Sequence, residues 1–211
     1  AILSRGLGDV YKRQVKALTK KIKCRSNEVL VSSTGVIGEK FNPNLIIDKF
    51  KKINSKNKKG LLESAKAIMT TDTFPKVSVK NINLDNQSFK IYGIAKGSGM
   101  IQPNMGTMLA YIFIECEISK QLINRLLKNN LENTFNSITV DSDTSTSDTL
   151  MMFSVGNKNI NLNKKNFKIL NNKIFELMHD LSLQVIKDGE GVSKLISCLL
   201  YTSPSPRDRI A

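Results

Sequence analysis

Tryptophan is absent from this 211-residue chain, which carries a single histidine and three cysteines. The lone His179 argues against a Ser-His-Asp triad or a histidine-based metal site, and its place in a long helical pattern marks it as a helix-surface residue. Cys198 falls in the C-terminal segment, and Cys24 and Cys116 show neither metal-ligand spacing nor a disulfide framework. A reducing compartment and no metal are therefore expected. No apolar run approaches the roughly 18–20 residues of a membrane span, so no membrane partner is expected. Aromatics make up 6% of the chain, too few for stacking platforms, and the net charge of +14 rests mostly on scattered lysines. A nucleic-acid reader would offer arginines for bidentate contacts and aromatics for stacking. No nucleic-acid partner is expected.

The two ends stand apart from the rest. Ser4–Gln14 (SRGLGDVYKRQ) and Cys198–Asp208 (CLLYTSPSPRD) resemble translations of the opposite strands of one sequencing adapter. The flanking Ala1-Ile2-Leu3 and Arg209-Ile210-Ala211 agree with one barcode on both sides. Residues 1–14 and 198–211 are accordingly expected to be foreign and to pack poorly, leaving 15–197 as a fragment of something longer. Setting the ends aside removes Arg5, Lys12, Arg13, Arg207 and Arg209 together with Asp9 and Asp208, so the charge falls from +14 to +11. Arg25 and Arg125 are then the remaining arginines.

What is present is an alternation of short apolar runs and helical periodicities. Glu28–Ser33 predicts a buried strand, and Asn42-Pro43 opens a helix carrying Leu45, Ile46, Phe50 and Ile53. After the lysine-rich loop Lys56–Gly60 come a short helix over Leu61–Met69 and strands around Lys76–Lys80 and Ser88–Ala95. The run from Thr107 (TMLAYIFIECEI) predicts a buried strand, and Ser119–Leu131 a helix. Ser137–Val140 and Thr149–Val155 are apolar runs that bracket Asp141–Asp148. Phe167, Leu170, Ile174, Leu177, Met178, Leu181 and Val185 keep helical spacing until Asp188-Gly189. Strands mixed with helices throughout predict an α/β (α+β) layered sandwich of mixed sheets and helices.

The chemistry concentrates in Ala95–Ala110 (AKGSGMIQPNMGTMLA), where Gly106-Thr107 is a bond that its own threonine could cut. A threonine hydroxyl needs a base, and the nearest one is its own α-amine once the preceding peptide bond is gone. That amine has a reference pKa of about 7.7–8.0 and is substantially unprotonated near neutrality. Gly106 leaves room for the hydroxyl to approach the scissile carbonyl. Taken alone, so common a dipeptide is better read as the start of a buried strand that begins at a glycine.

Four further hydroxyl- or glycine-rich segments stand at element ends: VSSTGVIGEKF (Val31–Phe41), AIMTTDTFPK (Ala67–Lys76), DSDTSTSDT (Asp141–Thr149) and DGEGVSKLI (Asp188–Ile196). In this order and spacing the five resemble the ornithine acetyltransferase/glutamate N-acetyltransferase family of arginine biosynthesis, whose members mature by self-cleavage. The resemblance implies that Thr107 is both the self-processing residue and the acyl-accepting nucleophile, with the cut between Gly106 and Thr107. It implies that Thr34 and Gly35 form the oxyanion hole and that Thr70, Lys96, Thr107 and Glu190 bind substrate. A lysine at the lip of a glycine-rich loop suits a substrate carboxylate. Asp141–Asp148 is assigned to architecture.

By the same resemblance, 15–106 is the C-terminal part of an alpha chain and 107–197 the N-terminal part of a beta chain, with two of each in a heterotetramer. The implied substrates are N-acetylornithine and glutamate, without cofactor, in the cytoplasm or, for a eukaryotic source, the mitochondrial matrix. Gly106 stands where the family usually has alanine, and DSDTSTSD and DGEGVSK each depart from the commoner pattern without losing a reacting group. Two other readings compete. A self-processing aminopeptidase or amidase would use water as acceptor, and a basic nucleic-acid-binding module would not depend on Thr107.

Overall fold

Asn163 opens the longest helix of the chain by accepting the Asn166 N–H with its side chain, a cap that satisfies one of the helix's free donors. From there α5 (Lys164–Lys187) places Leu170, Ile174, Leu177, Met178, Leu181 and Val185 on one stripe, all fully buried. Each such side chain contributes a gross stabilisation of about 1.5–3 kcal/mol, and the stripe is the backbone of the core. The computed structural model describes residues 2–34, 42–53, 60–102, 108–143 and 148–199.

The stripe packs on a four-stranded mixed sheet of β1 (Lys76–Leu84), β2 (Gln87–Lys96), β3 (Leu109–Ile114) and β4 (Thr149–Ser154), in that spatial order. Asp85 and Asn86, both at positive φ, close the β1–β2 hairpin, where the right-handed twist of the strands favours that backbone. β2 and β3 are antiparallel, with Lys96 opposite Leu109. β3 and β4 are parallel and joined through α4 (Lys120–Leu131), because parallel neighbours need a crossover. Gly93 lets α5 approach β2: a Cβ there would stand 2.6 Å from Leu181 Cδ1 and 2.7 Å from Leu177 Cδ2.

On the opposite face lie α1 (Ile2–Ile22), α2 (Asn44–Phe50) and α3 (Leu61–Ala67). The Asn42 side chain accepts the Asn44 N–H at the start of α2. An apolar cavity of about 520 Å3 lies between α1, α2 and the outward Tyr111 and Phe113 of β3.

The α+β class expected from the alternating pattern is the class observed. One local expectation fails. Residues 29–34 are extended but pair with no described strand, and Leu30 is 63% exposed, so Glu28–Ser33 is not a buried strand. β-branched content marks a segment as able to extend, whereas pairing requires a free neighbouring edge. The apolar run Ser137–Val140 begins at the end of a turn of 3-10 helix, Phe135–Ser137, held by the Thr134 carbonyl. The lysine-rich loop lies, apart from Gly60, outside the described residues. His179 is on the exposed face of α5, stacked on Phe175. At the N-terminus, α1 runs through residues 10–14; Tyr11 bonds Ser33, Arg13 donates to Asn44, and Gln14 is buried. None of these joins the hydrophobic core.

Candidate active site

β2 ends in Lys96, and three N–H groups of the loop Gly97–Ile101 that follows are held by carboxylates from other segments. Asp72 accepts the Gly97 N–H at 2.7 Å and the Thr70 N–H at 3.1 Å. Asp141 accepts the N–H groups of Met100 at 2.5 Å and Ile101 at 3.0 Å. These bonds hold Met100 at φ 56°, a left-handed backbone that costs a non-glycine residue about 1–3 kcal/mol. Ser98 meets Thr71 hydroxyl to hydroxyl, and its carbonyl accepts the Glu190 N–H. Gly99 leaves room for a carboxylate, because a Cβ there would stand 2.9 Å from Glu190 Oε2.

Beneath the loop is a buried ion triad. The ammonium of Lys76, wholly buried, lies 2.5 Å from Asp72 Oδ1 and 2.5 Å from Asp188 Oδ2. Burial alone would raise the Asp72 carboxyl, but the Gly97, Lys76 and Thr70 donors and the Lys76 charge outweigh it and hold the group below its ordinary value. Asp188 behaves the same way: burial raises it, while Lys76 and the Thr73 hydroxyl and N–H lower it further. Two carboxylates thus remain charged inside the fold, and the segment after α3, β1 and the end of α5 are tied at one point.

Lys96 is 2% exposed, which places its cation in the interior rather than in solvent. Burial lowers its ammonium, and the charges of Asp72 and Asp148 partly restore it. Asp148 accepts the Met108 N–H at 2.7 Å, and Thr149 N–H donates to the Met108 carbonyl at 3.0 Å. Burial pushes the Asp148 carboxyl up to about 7, against the opposing pull of the Met108 bond and Lys96.

Of the expected site residues, the structure brings Lys96, the Thr70 backbone and both the backbone and the carboxylate of Glu190 to this loop. The Thr70 side chain is exposed, as is Glu190. Thr34 is half-buried at the end of the extended segment, whose Ser32 meets the Tyr111 hydroxyl of β3. Gly35, Gly106 and Thr107 lie outside the described residues. Sequence reasoning missed Asp72, Lys76, Asp188 and the role of Asp141 and Asp148. The available signal was that each acid sits inside one of the five segments, between residues whose N–H groups need acceptors. Among the described residues, no group of three or more His, Cys, Asp or Glu could hold a metal ion. Nor is any helix among them long and apolar enough to cross a membrane.

Known proteins resemble this chain over most of its length. The sequence model of the ArgJ family matches residues 4–208. The arginine biosynthesis bifunctional protein ArgJ of Bartonella henselae is 42% identical over 185 residues, covering 85% of this chain and 45% of that protein. Its namesake in Caulobacter vibrioides is 37% identical over 203 residues, covering 94% and 50%. That in Rhizobium meliloti is 40% identical over 189 residues, covering 86% and 46%. The chain therefore spans about half the length of the curated relatives it matches. Among solved structures, the L-aminopeptidase D-Ala-esterase/amidase of Ochrobactrum anthropi superposes with a TM-score of 0.40 at 9% identity, over 58% of this chain and 43% of that one.

Proposed function

Because this chain belongs to the ArgJ family, we propose that it carries part of an acetyltransferase site that moves acetyl from N2-acetylornithine to glutamate in arginine biosynthesis. One observation supports this most: four of the five motif segments converge on the loop after Lys96 and on Met108, the residue next to Thr107. Thr107 is the nucleophile. Freed by cleavage after Gly106, its amine takes the hydroxyl proton while the oxygen attacks the acetyl carbonyl. Thr34 and Gly35 stabilise the oxyanion, where a positioned donor is worth about 2.7–4 kcal/mol. Collapse expels the ornithine amine, which takes the proton, and leaves an acetyl ester on Thr107. The glutamate amine then attacks that ester, restoring the hydroxyl and releasing acetylglutamate.

Lys96, the lysine assigned to a substrate carboxylate, stands at the head of this loop, and Thr70 and Glu190 border it. The substrates are small molecules, and no cofactor or metal enters either step. Cleavage divides 15–106 from 107–197 into parts of alpha and beta chains, two of each forming the heterotetramer in the cytoplasm.

The test is Thr107→Ala in the full-length gene product. Loss of both the cut after Gly106 and acetyl exchange is expected; retention of both would overturn the assignment. An aminopeptidase or amidase would release acetate without forming acetylglutamate. The nucleic-acid-binding alternative is not favoured, since Lys76 and Lys96, at the centre of the motifs, are enclosed rather than displayed.

A further inference from the structure

We propose that Asp72 is a positioning residue for substrate binding, setting Thr70 and Lys96 against one another through its two carboxylate oxygens while Lys76 and Asp188 carry the same frame on to Glu190. This inference rests on the assignment of Thr70, Lys96 and Glu190 to substrate.

Asp72 Oδ2 accepts the N–H of Thr70 at 3.1 Å, and Oδ1 accepts the N–H of Gly97, the residue after Lys96, at 2.7 Å. One planar carboxylate thus fixes two segments of the chain to each other. Asp188 takes the Thr73 N–H at 3.0 Å on Oδ2 and stands just ahead of Glu190, whose own N–H donates to the Ser98 carbonyl at 2.7 Å. Lys76 links the two acids, 2.5 Å from each. Every residue assigned to substrate therefore lies at, or within two positions of, a group that the triad holds.

A buried ion triad is a poor device for stability alone, since well-packed apolar residues of similar volume commonly do as well or better. What the carboxylate adds is an acceptor on both oxygens at once. An asparagine offers a single acceptor oxygen and would turn its NH2 toward one of the two N–H donors. The side chains of Asp72 and Lys76 have no exposure, and the Phe74 ring, its centroid 4.9 Å from Lys76 Nζ, closes a further side of the ammonium. Neither charged group meets a ligand directly, so each acts through the backbone it holds. The side chains of Thr70 and Glu190, by contrast, are exposed. The frame is inside and its tips are outside.

The experiment is steady-state acetyl transfer by the mature full-length enzyme, at a temperature well below the unfolding transition of every variant. Asp72→Asn should raise KM for N2-acetylornithine about ten- to a hundredfold, the scale of one lost hydrogen bond to a charged group, with kcat changed less than about threefold. Asp72→Glu keeps the charge beside Lys76 but moves both oxygens by a methylene, and should raise KM at least about fivefold. Ile82→Val, a core truncation in β1 away from the loop, should lower the unfolding midpoint and leave KM within about twofold of the wild type. A folded Asp72→Asn or Asp72→Glu enzyme with wild-type KM would overturn the inference. So would an Ile82→Val enzyme whose KM rises as far, because KM would then follow stability and not the loop. If neither Asp72 variant yields a folded enzyme, the residue is a folding determinant and the inference falls as well. Thr70→Ala and Lys96→Met separate the two claims: if both leave KM unchanged, the substrate assignment fails; if they raise it and the Asp72 variants do not, only the role of Asp72 fails.

Discussion

Replacing Lys76 with methionine removes the one cation between two buried carboxylates while keeping most of the side chain's volume. In the native fold the ammonium is wholly buried and sits 2.5 Å from each acid, with Asp72 and Asp188 nearly as enclosed. Breaking a buried pair by deleting one partner typically destabilises by about 3–5 kcal/mol, because the remaining charge is left uncompensated. For a chain of this size that corresponds to a fall in Tm of about 6–20 °C. The sign of the pH dependence discriminates the cause. With Lys76 present, both carboxyls lie below their ordinary values, so their stabilisation is present above about pH 4 and is lost as pH falls through the folded-state values. Without Lys76, burial raises at least one carboxyl, and protonation relieves the cost. The deficit of Lys76→Met should therefore be largest near pH 8 and shrink toward pH 4.5, read by thermal unfolding followed by circular dichroism. A deficit independent of pH would refute the electrostatic account and leave only lost packing.

Two further outcomes follow from the geometry. Asp148→Asn should gain stability over the wild type at pH 8 but not near pH 4: a raised carboxyl contributes stability below its unfolded value that is lost as pH rises through about 7. The shift would correspond to about 4 kcal/mol, halved to about 2 kcal/mol for partial solvent screening; a Tm difference that does not change with pH would contradict it. Gly93→Ala should lower stability by about 1–3 kcal/mol, since the new methyl meets Leu177 and Leu181 in a closed core. Denaturant unfolding measures it, and an unchanged midpoint would mean that α5 can move away from β2.

Much of the element order was legible because its causes are local. The α5 stripe repeats at helical spacing, and Asn163 caps that helix through a residue three positions on. β2, β3 and β4 stand where apolar runs are bounded by glycine- and hydroxyl-rich segments. The extended segment 29–34 was misread because its composition suits a strand while its partner, if any, is decided far away in the chain. Lys76 was hidden for a different reason. It is one basic residue among 32 in the chain, and nothing in its neighbours distinguishes an enclosed ammonium from a solvated one. Asp148 was read as architecture because a hydroxyl-rich acidic loop normally lies in water.

By itself the sequence determined the α+β class, the position of the long helix and the family, since periodicity, capping and motif order are properties of neighbouring residues. Only the tertiary structure decided which charges are buried and with whom. Asp72, Lys76 and Asp188 are brought together from the two ends of the described sheet-and-helix core, with Asp188 lying 112 residues beyond Lys76. Their protonation depends on a desolvation that no local window contains. The same holds at Met108, where a carboxylate 40 residues away takes its N–H, and burial moves that carboxylate into the range of neutral pH.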